Sequence, residues 1–211
     1  MRAPAILCLI TLLASGLAGA QERPRGANAP RPASPPGRAV ASIGAEVITL
    51  PEVTAAVKAR LAEVPPDVVL DRRQTIALAR AMLKAMIVRS LVFQEAREVL
   101  GGPAPINAML KGIERRWADR ELPQLIRREG AGPGAGLAAK LARRATTPGL
   151  LREEFIIRSV AETLMGRESP SGDLSGYLEG VRRRRPIAMI MSEAELTDAG
   201  RDAAIEGRRK R

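Results

Sequence analysis

The carboxylate pairs Glu153–Glu154 and Glu193/Glu195 are the groups in this sequence whose type and spacing could support acid–base chemistry. Two acids can divide the roles of proton donor and proton acceptor when their surroundings push their pKa values apart. Both pairs fall in helix-like stretches, where solvated faces or caps also account for them. Histidine is absent from the 211 residues. That excludes Ser-His-Asp and Cys-His catalysis, and with them ordinary zinc sites, since each needs an imidazole or a set of thiolates. The one cysteine, Cys8, lies within the first twenty residues, so the remainder can form neither a disulfide nor a cysteine metal site. No catalytic residue, no metal site and no cofactor are expected.

The elements that would position any functional side chain are mostly helical. Residues 40–53, VASIGAEVITLPEV, open with two β-branched runs around Gly44-Ala45. A glycine first in a two-residue turn suits a type II′ hairpin, although the apolar alternation before it is imperfect. Thr49-Leu50-Pro51-Glu52 reads as a capping box with proline in the first turn, launching a helix to about Val64. Pro65-Pro66 stops it. The strongest helix spans 71–100, with Asp71 and Gln74 as a second cap and Gly101-Gly102-Pro103 as its end. Leu78, Met82, Met86, Phe93, Ala96 and Leu100 form a wide apolar face, flanked by Leu83, Ile87 and Leu91. A stripe this wide contacts several partners at once.

Residues 105–129 read as a helix bent at Pro123, with Ile106, Met109, Leu110, Ile113 and Trp117 inward. GAGPGAG (130–136) breaks the chain, and a short helix follows from Leu137 to Arg144. Thr147, with Pro148 behind it, caps another helix that packs through Leu151, Phe155, Val160 and Leu164. A last helical piece runs from Asp173 to about Arg184. A strand at Pro186–Met191 would return to pair with the opening hairpin, and a helix is expected from about Ser192. The fold class is mainly α: an orthogonal multi-helix bundle around one long central helix, with a short N-terminal β-hairpin.

Outside this region the composition changes. Residues 1–20 combine Arg2, an apolar run from Ala5 to Leu13 and Ala18-Gly19-Ala20. This is the pattern of a cleaved secretory signal, and the run is shorter than a bilayer span. An uncleaved anchor is the alternative. Residues 21–38 form a Pro/Arg-rich linker expected to be disordered. The net charge of +11 is uneven: four bases against one acid in 21–38, nine against five in 182–211, and twenty against 17 in between. The near-balanced middle reads as a mixed solvated surface, so no nucleic-acid partner is expected. The basic tails could make weak contact with an anionic membrane surface.

The order of elements resembles the N-terminal chaperone module of SurA-type periplasmic proteins, which precedes parvulin-type prolyl isomerase domains in their relatives. The resemblance rests on VASIGAEVIT followed by PEV, on MLKAMIVRSLVFQEA (82–96), and on LREEFIIRSVAETLM (151–165) with SGDLSGYLEGVR (171–182). It covers residues 39–182. Residues 183–211 are then a basic tail, or a remnant of the start of a parvulin domain. Ala188 and Met189 stand where that family's first histidine would be expected, and Gly44-Ala45 replaces the usual Asn-Gly of the turn.

With the signal-like start, the resemblance implies an exported, periplasmic or extracytoplasmic protein, and the missing histidines imply that it is not an enzyme. Its implied function is a chaperone or holdase whose partners are unfolded or outer-membrane client polypeptides. A degenerate or truncated prolyl isomerase homologue is one alternative, and a membrane-proximal scaffold or adaptor is another. Methionine is unbranched and polarizable and suits varied apolar segments. The peptide-binding candidates are therefore Met82, Met86, Arg89, Phe93, Met109, Trp117 and Phe155. Each has a competing reading as core, and Arg89 one as a partner for a glutamate of another helix.

Overall fold

A computed structural model describes residues 37–168 and 173–191. The expected signal, most of the linker, the helix from Ser192 and the pair Glu193/Glu195 lie outside the described residues. The chain is mainly helical, with a small antiparallel sheet built on the N-terminal hairpin.

Strands β1 (Ala39–Ile43) and β2 (Glu46–Thr49) pair antiparallel, with Ile43 opposite Glu46 across a two-residue turn. Gly44 has φ +55°, while Ala45 does not share the positive φ, the pattern of the expected type II′ turn rather than type I′. The imperfect alternation has a cause. The register shifts between Ala39 and Ala41, so Val40 sits at a bulge and both Val40 and Ala41 turn inward. The capping box then starts α1 (Leu50–Leu61): the Glu52 carboxylate accepts the Thr49 backbone N–H at 2.7 Å and its hydroxyl at 2.8 Å. This helix ends three residues before the expected Val64. Val64 precedes a proline, which disfavours helical backbone, and it enters the core from the turn that follows.

The long helix α2 (Arg72–Leu100) carries the reciprocal Asp71/Gln74 box at its start and a left-handed Gly101 at its end. It packs against α1 and the hairpin. It also meets α3 (Pro103–Arg116), α6 (Pro148–Glu168) and α7 (Leu174–Arg184), so it is the central element of the bundle. Its wide apolar stripe is distributed among them, as the stripe's width requires.

The helix expected over 105–129 is interrupted. A π-helical turn, Trp117–Glu121, separates α3 from α4 (Leu122–Glu129). Pro123 has no N–H, and in a regular helix its ring would collide with the carbonyl of Asp119. Widening the preceding turn avoids this, and the Leu122 N–H reaches back five residues to the Trp117 carbonyl. After Gly130 the short α5 (Ala135–Ala142) begins two residues earlier than expected. Leu125, Leu137 and Leu141 form a small second core there, lined by Trp117, Leu122 and Leu151. Thr147 opens α6 as expected, its hydroxyl accepting the Leu150 N–H.

The C-terminal strand β3 (Ile187–Met189) pairs antiparallel with β1, giving the order β2-β1-β3. The expected return of the chain to its opening hairpin is thus present. Polar bonds fasten the sheet to α2: the Glu46 carboxylate accepts from Ser90 and from Arg97 at 2.9 Å, and Gln94 donates to the Ile43 carbonyl at 3.0 Å. Burial would raise the Glu46 carboxyl, but hydrogen bonds from Ser90, Arg97 and Gln94 outweigh it and hold the pKa below the usual range.

Candidate peptide-binding face

The candidate residues lie on α2, α3 and α6 and on the π-helical turn after α3. On α2, Met82, Met86, Arg89 and Phe93 are three or four residues apart and therefore fall along one side. Met82 is only 4% exposed and belongs to the core. Met86 is half-buried one turn on. Arg89 lies over the Phe93 ring, its guanidinium 4.8 Å from the centroid, and forms an ion pair with Glu153 of α6. The arginine is 45% exposed and Phe93 is largely buried beneath it. An apolar stem crossing the stripe with its charge paired at the edge is what a cation in such a face requires.

Met109 of α3 is half-buried against the main core. Trp117 packs its ring 5.6 Å from that of Phe155 on α6, with planes inclined by 44°. That tilt is a favourable aromatic arrangement, and both rings remain partly exposed. A second cross-helix ion pair, Arg152 to Glu114 at 2.6 Å, ties α6 to α3 beside them. The structure therefore brings Arg89 and Phe93 together, and Trp117 and Phe155 together. Met82 is placed beneath the surface. Met86 and Met109 are the methionines of the set whose side chains reach solvent.

The first carboxylate pair separates. Neighbouring helix positions point about 100° apart; Glu153 turns to Arg89, and Glu154 is largely buried. No hydrogen bond reaches the Glu154 carboxylate among the described residues, and burial pushes its pKa up to about 7. One paired acid and one isolated acid do not form an acid–base dyad. Among the described residues no three acidic, histidine or cysteine side chains cluster closely enough to hold a metal ion. No described helix is long and apolar enough to cross a membrane.

Sequence reasoning missed one acid with large structural consequence. Glu95 is 6% exposed, yet it accepts from Arg184 at 2.6 Å and from Arg185 at 3.0 Å; Arg185 also reaches Glu98 at 2.5 Å. Its partners cannot be read from the local pattern, because they lie some ninety residues away. The one available signal was an acid placed next to Ala96 on the apolar side of α2. Comparison of the chain with family models, curated proteins and solved structures found no match.

Proposed function

We propose that residues 39–182 form a non-catalytic, SurA-like holdase module for unfolded exported polypeptides, outer-membrane proteins among them. The observation that carries this reading is the half-buried set Met86, Met109, Trp117 and Phe155, spread over α2, α3, the π-helical turn and α6. Flexible thioethers and partly exposed aromatic rings can contact many apolar sequences without a fixed register. The motif resemblance and the signal-like first twenty residues support the choice of client. The absence of histidine argues against an isomerase.

Purified protein at stoichiometric amounts should suppress aggregation of an unfolded outer-membrane protein. The Met86→Ser/Met109→Ser variant should suppress it less while keeping the parent helicity. Absence of suppression by the parent protein overturns the reading. A proline-peptide turnover assay gives the enzymatic alternative its own test, with no rate above background expected.

A further inference from the structure

The cations of the described chain divide into two groups. Around α2, α6 and α7 many are paired: Arg89 with Glu153, Arg97 with Glu46, Arg152 with Glu114, Arg158 with Glu162, and Arg184 and Arg185 with Glu95. Along the run from α3 through the π-helical turn to α4 the pattern reverses. Lys111, Arg115, Arg116, Arg120, Arg127 and Arg128 are all exposed, and none has an ion-pair partner among the described residues. Of the four acids on this run from Lys111 onward, Glu114 is taken by Arg152 and Glu129 by Arg144. Only Asp119 and Glu121 remain to offset the six cations. At about 1.5 Å per residue the six occupy a ridge about 26 Å long. Apart from the step of about 10 Å between Arg120 and Arg127, neighbouring charges on it fall within about one Debye length at physiological salt. The field of the ridge is therefore collective.

We infer that this ridge is a docking surface for an anionic lipid bilayer, separate from the basic tails and additional to the client-binding face. Two observations favour lipid over nucleic acid. The six cations are all exposed along a helical ridge, which suits a plane of many phosphates. Partly exposed Leu122 and Ile126 lie along the same run, and an amphipathic flank of this kind fits the headgroup–acyl boundary. The aromatic ring on the run, Trp117, is engaged by Phe155 rather than presented for stacking on bases.

The test uses the full chain and sedimentation with vesicles of pure phosphatidylcholine or of phosphatidylcholine with 30% phosphatidylglycerol, about the charge density of a natural anionic leaflet. Binding is expected to the anionic vesicles alone and to weaken steeply with salt. The Arg116→Glu/Arg120→Glu/Arg127→Glu variant should bind them at least tenfold more weakly. Arg167→Glu, a reversal of an exposed cation on α6, should bind as the parent does. Circular dichroism establishes that both variants keep their helices. Equal binding by the triple variant and the parent would assign any attraction to the tails and overturn the inference. So would binding to duplex DNA with no binding to anionic vesicles. Aggregation suppression is measured separately, so failure on vesicles leaves the holdase reading standing.

Discussion

Glu63, in the turn after α1, accepts the backbone N–H of Gly149 at 2.7 Å, so a side chain 86 residues away caps the start of α6. The same carboxylate is ion-paired with Arg60. A Cβ built on residue 149 would overlap Arg60 Nη1 and Glu63 Oε1. Glycine at 149 leaves room for the tips of these two flexible side chains.

Gly149→Ala is therefore expected to destabilise the protein by about 1 kcal/mol, the usual value of a helix N-cap, because the Arg60–Glu63 pair must swing away. Gly112→Ala and Gly166→Ala should do the opposite. Nothing lies near a Cβ at either helical position, and replacing an exposed helix glycine gains roughly 0.5–1 kcal/mol. Urea unfolding midpoints of the three variants check the difference in sign.

Glu95→Ala should cost about 3 kcal/mol, because it leaves the largely buried Arg185 with only its bond to Glu98. The loss should be local at first. Limited trypsin digestion should cut after Arg184 faster in this variant than in the parent at equal temperature.

Glu154 predicts a pH dependence of stability. Its folded pKa of about 7 lies above the ordinary value of 4.5, so the folded state holds the proton more tightly than the unfolded chain. No penalty exists below pH 4.5. Stability falls as pH rises from there to about 7, by on the order of 3 kcal/mol, and is then level. Glu154→Gln should remove most of this slope, as measured by urea unfolding at pH 5 and pH 8.

Leu141→Ala should loosen one part of the molecule more than another. Leu141 belongs to the small core of α4 and α5, not to the main core around α2. Truncating a buried leucine costs about 2–5 kcal/mol. Hydrogen exchange should show residues 122–142 losing protection while the centre of α2 keeps its own.

Local chemistry made much of this fold legible. Thr49, Asp71, Thr147 and Asp173 each mark a helix start, and each is found there. Gly44 and Gly101 mark a turn and a helix end, and both have positive φ. The π-helical turn was only half legible: Pro123 announces a disturbance, but whether the helix bends or widens depends on what packs beside it. The long-range polar pairs were not legible. Glu95 with Arg184, Glu46 with Ser90 and Glu63 with Gly149 carry no periodic signal, since each joins segments far apart in the chain. The candidate face shows the same limit. Met82 and Met86 sit one turn apart on one stripe, yet one is interior and the other reaches solvent. Period identifies the side of the helix and does not say where neighbouring helices end.

The pairing of β1 with β3 has a mechanical consequence. Ala41 lies opposite Met189, and the Val40 carbonyl accepts from both Ile190 and Met191. The strands are antiparallel, so the segment entering β1 and the segment leaving β3 depart from the same end of the sheet. Tension applied between the two tails would load those bonds one after another, as a zipper, rather than all together in shear. The first to part would be the bonds at Val40, followed by the ladder toward Ile43. A chain pulled from its ends, as during threading through a pore or capture by an unfolding machine, would release the C-terminal strand at low force. The helices behind it would still be intact.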